Sequence, residues 1–232
     1  MEQMAMKYLQ RDRLLHIDMI ELLRLREAEA LYAGEDGVLI HLAQGNIYML
    51  SAASKESAQM ITEQITDASM LVLHQPYLKD ELMRRFSLTG YMPCHQAAWL
   101  SDSPAPSSTG DYDIRLLTEA DLPFVREHYD NISDEVYLLE RLKAGMLGIY
   151  VEGELAGFIG THTEGTIGLL EILPAYRRLG LAFALERAMM RRQQGLGRIP
   201  YAQIKEGNEA SLKLHWKLGM EVTPDASVLW MY

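Results

Sequence analysis

The segment that most restricts the fold is Arg177-Arg178-Leu179-Gly180-Leu181-Ala182. It stands between a strand-like run closed by Pro174 and an apolar stripe at helical spacing, Leu181, Ala184, Leu185, Ala188 and Met189. Glycine lets the backbone turn sharply there, and the helix that follows begins with N–H groups lacking intrahelical acceptors. The stripe predicts a helix over residues 180–194, with Glu186, Arg187, Arg191 and Gln194 facing water. Strand, tight turn and helix in that order call for an α/β or α+β domain.

The flanking pattern extends this reading. Residues 112–116 form a short strand, and Pro123 opens a helix running toward Tyr129. Ser133 caps a second helix, with Asp134 and Glu135 in its first turn and Gly145 as its stop. Residues 146–151 and 155–161 flank Glu152-Gly153-Glu154 as a hairpin, and 166–173 form the strand before the turn. A strand over 200–205, a helix over 208–218 stopped by Gly219 and a strand over 228–232 complete the chain.

Residues 101–110, rich in Ser and Pro, have little apolar surface to bury and read as a linker. They separate an N-terminal domain, 1–100, from a C-terminal one, 111–232. The N-terminal part echoes the C-terminal part. A strand over 70–74, a helix over 77–86, Gly90 and a strand reaching Trp99 mirror the strand, helix, Gly219 and Trp230 of the other half. Ahead of that first copy, residues 38–42 and 47–50 flank Gln44-Gly45-Asn46 as a hairpin. The layout points to a diverged duplication.

Thirty-two acidic residues against 22 basic ones give a formal charge of −10, which argues against a nucleic-acid partner. The single Cys94 excludes an intrachain disulfide, and the absence of long apolar runs argues against a membrane span. A cytoplasmic protein is the expectation. The histidines show no metal-ligand spacing, so no metal is expected. Cys94 and His95 are neighbours on a strand pattern and point to opposite faces, which favours a buried, inert thiol.

Against this acidic background, residues 177–198 hold six arginines and one acid, Glu186. A phosphate fits such a place: main-chain N–H groups and the dipole of the helix start attract it, and Arg177 and Arg178 add charge-assisted contacts. The small Ala182 leaves room on the first turn. For Arg187 and Arg191 alone, a solvated helix face is the simpler reading.

Strand, Pro174, the 177–182 turn, helix, strand, Asn208-Glu209-Ala210-Ser211, helix and Leu218-Gly219-Met220 together resemble the GNAT superfamily of N-acyltransferases over residues 112–232. The two-half layout is similar to that of glycine N-acyltransferase-like proteins. The resemblance implies a mixed, mostly antiparallel twisted sheet flanked by helices, preceded by a smaller degenerate half of the same kind. It further implies that Arg177, Arg178, Leu179, Gly180, Leu181 and Ala182 bind the pyrophosphate of acetyl-coenzyme A. The strand before the turn then parts from the next one, and freed backbone groups of Ile172 and Leu173 pair with the pantetheine arm. A strand N–H serves as oxyanion donor.

Acyl transfer to an amine needs a base, because an ammonium of pKa ~10 must lose a proton first. Glu171, on the strand beside the implied thioester, is the first candidate; it is equally a strand carboxylate facing solvent. Glu206 is a second. For the acid that meets the leaving thiolate, many family members have a tyrosine seven residues after the equivalent of Asn208, and this chain has His215. Ser211 and His215 lie one turn apart and can face the cofactor together. His215, beside Leu212, Leu214 and Trp216, also reads as a packed core histidine. Asn208 caps its helix and, by the resemblance, contacts the pantetheine arm. The expected function is acetyl or short-acyl transfer from coenzyme A to a small-molecule amine, and the alternative is an acyl-CoA sensor without turnover. A homodimer is left open.

Overall fold

Ladder partners and two-sided burial, more than local propensity, decide where the strands of this chain go. The structure, a computed structural model, describes residues 1–107, 110, 112–130 and 132–232. Ser108 and Thr109 of the expected linker, and Asp111 at the expected domain start, lie outside the described residues. The chain forms two units. The first is Met1–Ala98 with Gln203–Trp216 and Met220–Tyr232; the second is Trp99–Ala202 with Lys217–Gly219.

The first unit carries β1 (Glu29–Ala33), β2 (Gly37–Leu42), β3 (Ile47–Ala52), β4 (Met70–Leu73), β5 (Tyr91–Ala98), β11 (Glu221–Val222) and β12 (Val228–Met231). They pair in the order β1-β2-β3-β4-β12-β5, with β11 on β5. Successive side chains alternate between two cores. Ile40, Met49, Val72 and Trp230 join the core with α1 (Glu2–Leu9) and α2 (Ile17–Arg24). Leu39, Leu50, Leu71, Leu73 and Met231 join the one with α3 (Lys55–Thr62) and α4 (Lys79–Arg85). Burial on both faces explains why these strands read as nearly unbroken apolar runs. Cys94 is buried in the first of these cores.

This unit also takes in C-terminal segments that lie within the expected 111–232 domain. Strand β12 is antiparallel to both β4 and β5, with Trp230 opposite Val72 on one side and Met92 on the other. Its main-chain donors and acceptors find ladders on both sides only here. Most of α8 (Glu209–Leu218) goes with it, and Gly219 (φ +84°) ends that helix.

In the second unit, β6 (Asp113–Leu116), β7 (Leu147–Val151), β8 (Glu154–Thr161) and β9 (Ile167–Ile172) are successively antiparallel. The start of β10 (Tyr201–Lys205) joins β9 in parallel. Glu152 (φ +52°) and Gly153 (φ +90°) make the tight β7–β8 turn, as a two-residue hairpin loop requires. Helices α5 (Leu122–His128) and α6 (Glu135–Gly145) bury Val125, Leu138 and Leu142 in one core with Phe158 and Leu169. Helix α7 (Leu181–Gly195) packs on β7, β8 and β9. The mixed, mostly antiparallel sheet flanked by helices is as expected.

Three details differ from the sequence reading. Asp134, one residue after Ser133, caps α6, its carboxylate accepting the N–H groups of Val136 and Tyr137 at 2.9 and 3.2 Å. Glu186 is buried rather than solvated, because Met190 and Gln193 continue a second covered stripe on α7. Residues 103–107 are not a free tether: Ala105 is buried and its N–H donates to Gln194 at 2.7 Å. The carbonyls of Ala105 and Ser107 accept from Arg191 and Arg187. No helix among the described residues is long and apolar enough to cross a membrane.

Candidate active site

The turn between β9 and α7 is exposed from Arg177 to Gly180. Arg178 (φ +66°) and Gly180 (φ +79°) are both left-handed, a conformation that only Gly180 holds without cost. Gly180 is the N-cap and offers no side-chain acceptor, and the first intrahelical bond runs from Ala184 N–H to its carbonyl at 3.1 Å. The N–H groups of Leu181, Ala182 and Phe183 therefore point outward without helix acceptors. Buried Leu181 anchors the turn, so its contribution to a ligand is main-chain only. A Cβ on Gly180 would meet nothing nearer than the Tyr112 hydroxyl, at 3.5 Å.

Arg177 and Glu171, both named from the sequence, meet each other. The Arg177 guanidinium donates to Glu171 Oε1 at 3.0 Å and, through Nε, to the Ile172 carbonyl at 2.9 Å. This latch ties the turn to the strand. It occupies the cation expected to face phosphate and the carboxylate expected to act as base. Arg178 is exposed and has no ion-pair partner among the described residues. Of the other arginines, Arg187 and Arg191 bond the 103–107 carbonyls and Arg192 packs against Gly145. Hence the local excess of arginine is largely structural.

Of the two residues expected to be freed on β9, Ile172 has its carbonyl bonded by Arg177, and Leu173 is paired through both main-chain groups. Leu173 N–H donates to Ala156 on β8 at 2.9 Å, and its carbonyl accepts from Tyr176. Both groups are engaged, so Leu173 is not a free edge. Main-chain groups alternate sides along a strand, so those of Leu170 and Ile172 lie on the side away from β8. Within the unit, the parallel ladder joins β9 to β10 at Ile167 and Ala202.

A residue that sequence reasoning missed lies between. Leu169 has φ +49°, and the β8–β9 register slips between Phe158 and Gly160. That is a bulge, with an apolar side chain held in a region it rarely visits, at a cost of about 1–3 kcal/mol. Burial of Leu169 in the α5–α6 core holds it there. Nothing in a Leu-Leu dipeptide signals it; the only hint was Gly160 and Gly168, which face each other across the ladder.

Asn208, Ser211 and His215 belong to the first unit. The Asn208 side-chain oxygen accepts from Ser211 N–H at 3.1 Å, which is the expected cap. His215 is buried, and its Nδ1 donates to the Ser211 carbonyl at 2.8 Å. Burial lowers its pKa, more than that hydrogen bond raises it. The ring is thus neutral near pH 7. This is the environment of a packed core histidine. The Ser211 hydroxyl lies 3.4 Å from the same Nδ1.

Known structures share this architecture. A Drosophila protein aligns over 99% of this chain and 94% of its own at 16% identity, with a TM-score of 0.66. A protein from Novosphingobium aromaticivorans described as a GNAT-family acetyltransferase aligns over 91% of this chain and 93% of its own at 19% identity, with a TM-score of 0.56. The chain has the GNAT fold. A GCN5-related N-acetyltransferase from Kribbella flavida, at 11% identity and a TM-score of 0.55, covers 94% of each chain. Residues 146–230 match the FR47-like protein family, a stretch that includes β9, the turn and α7. No curated protein matches the sequence. At these identities the structural likeness speaks for the fold, and it extends over both halves of the chain.

Proposed function

We propose that this protein transfers an acetyl or short acyl group from coenzyme A to a primary amine of a small molecule. One observation carries the reading: an uncapped helix start at Gly180 directly follows a bulged strand whose edge is paired only at Ile167 within its unit. Main-chain N–H groups of Leu181, Ala182 and Phe183, with Arg178, would hold the pyrophosphate. The main-chain groups of Leu170 and the N–H of Ile172 would take the pantetheine arm. The bound group supplies the activated acyl carbon. The bulge at Leu169 would aim a strand N–H at the acyl oxygen, where a fixed donor is worth most. Arg177 and Glu171 keep the turn in place rather than touching substrate.

Release of thiol from acetyl-CoA with a panel of amines tests the proposal, alongside calorimetric titration of coenzyme A. Turnover with at least one amine is expected, and binding without any turnover would contradict it. That outcome is also what the second reading, an acyl-CoA sensor, predicts. The sensor is favoured by one observation: the two residues first assigned to catalysis are occupied or buried, Glu171 by Arg177 and His215 within its helix.

A further inference from the structure

The second unit contains a cluster that the reading above does not use. Tyr137 on α6 and His162, at the end of β8, share a hydrogen bond of 2.7 Å between the hydroxyl and Nδ1. The backbone of His162 is fixed as well. Its N–H donates to the Thr166 carbonyl and its carbonyl accepts from Gly165, at 2.9 and 3.0 Å. The other ring nitrogen lies over Gly168: a Cβ at that position would sit 2.6 Å from Nε2. Gly168 immediately precedes the bulged Leu169. A half-buried imidazole is therefore held with one nitrogen spoken for and the other directed at β9, beside the strand proposed to carry the acyl oxygen.

We propose that His162 is the base that takes the proton from the acceptor amine, and that Tyr137 is its positioning residue. The proposal rests on the acyltransferase reading. In the step, an N–H bond of the substrate ammonium breaks and Nε2–H forms. The freed nitrogen pair attacks the acyl carbon, and the C–S pair leaves as thiolate. That thiolate takes the second proton, which the nitrogen sheds on becoming an amide, while the imidazolium returns its proton to solvent. Imidazolium has two N–H donors, and the Tyr137 oxygen is the acceptor for Nδ1–H. The neutral ring that accepts at Nε2 keeps its proton on Nδ1, so the Tyr137 oxygen accepts the same hydrogen bond before and after the transfer.

The surroundings suit this task. Burial, and next the charge of Glu164, push the Tyr137 hydroxyl up to about 12, so it stays a phenol and does not compete for the proton. Glu164 is buried in the same β8–β9 connection, where its carboxylate accepts from the Thr166 hydroxyl. The buried Arg141 guanidinium lies 5.3 Å from the Tyr137 ring centroid and opposes the rise of the Tyr137 hydroxyl. Tyr201 and Arg198 approach the connection at Gly165. Histidine, with an ordinary pKa of ~6.5, is matched to taking and releasing a proton near neutral pH.

His162→Gln and Tyr137→Phe in the full chain, assayed with acetyl-CoA and an amine the protein turns over, test the proposal. For His162→Gln, kcat should fall roughly a hundredfold. The acidic limb of the kcat/KM profile should vanish, and acetyl-CoA affinity should be unchanged. Tyr137→Phe should lower kcat by roughly tenfold and move that limb to lower pH, since imidazolium loses an acceptor. NMR titration of His162 adds a readout without turnover: its pKa should drop in Tyr137→Phe. A His162→Gln enzyme with its rate or its acidic limb intact overturns the proposal, and an unmoved His162 pKa overturns the role of Tyr137. If the glutamine variant does not fold, His162→Asn is read the same way. Protein that binds acetyl-CoA but acylates no amine overturns the underlying reading, and this inference with it.

Discussion

The two units contain the same junction, a strand leading into a helix beside a parallel strand, and they finish it in opposite ways. In the first, Ser54 caps α3: its hydroxyl accepts from Ser57 N–H while Ser57 Oγ accepts from Ser54 N–H. The neighbouring strands β3 and β4 are zipped through four register pairs. In the second, Gly180 brings no acceptor to α7, and β9 meets β10 within the unit at a single pair. The difference teaches that a strand–turn–helix layout has main-chain donors to offer an anion only when the helix start does not consume them. A serine at the helix start consumes them, and a glycine leaves them for a ligand.

The contrast can be broken at several points. The largest effect should come from deleting residues 226–232, which removes the strand between β4 and β5. Cooperative unfolding of the first unit, followed by circular dichroism, should be lost. Trp230→Ala is the milder form, costing about 3–5 kcal/mol by urea titration, because it empties a buried site. Next is Gly180→Asp, which gives α7 an acceptor of its own and sets a carboxylate among the proposed phosphate contacts. Coenzyme A affinity should drop at least roughly a hundredfold, equivalent to about 2.7 kcal/mol. A calorimetric titration with unchanged affinity would remove the site from this turn.

Glu186 separates the units by pH. Burial raises its carboxyl from 4.5 to about 8 in the folded state. The folded protein keeps that proton while the unfolded chain releases it, so stability falls as pH rises from 4.5 to about 8. Glu186→Gln should flatten this slope in thermal melts between those values. In the first unit the sign is reversed. Burial, and then the charge of His74, lower His16 from 6.5 to about 4, and stability contributed there is lost as pH falls through that window. The smallest effect is Ser54→Ala, about 1 kcal/mol by chemical unfolding, with coenzyme A affinity untouched.

Much of this was readable from residues. Glu152-Gly153 specified its own turn, Gly180 marked the uncapped helix, and the stripe from Leu181 to Met189 set the packed face of α7. What was not readable depends on partners distant in sequence. The placement of β12 is decided by β4 and β5, not by Val228–Met231 itself. The bulge at Leu169 arises from register with β8, the Arg177–Glu171 latch from the path of the turn, and the burial of Glu186 from a second covered face. His162 and Tyr137 stand 25 residues apart and carry no motif; only the return of α6 onto the sheet joins them.

The central claim is best tested by following individual amides while coenzyme A is added, using NMR with hydrogen exchange. The N–H groups of residues 180–183 should shift and exchange more slowly, and those of residues 55–57, already capped by Ser54, should not change. Saturating ligand that leaves the first turn of α7 untouched, or that protects α3 instead, would contradict the account.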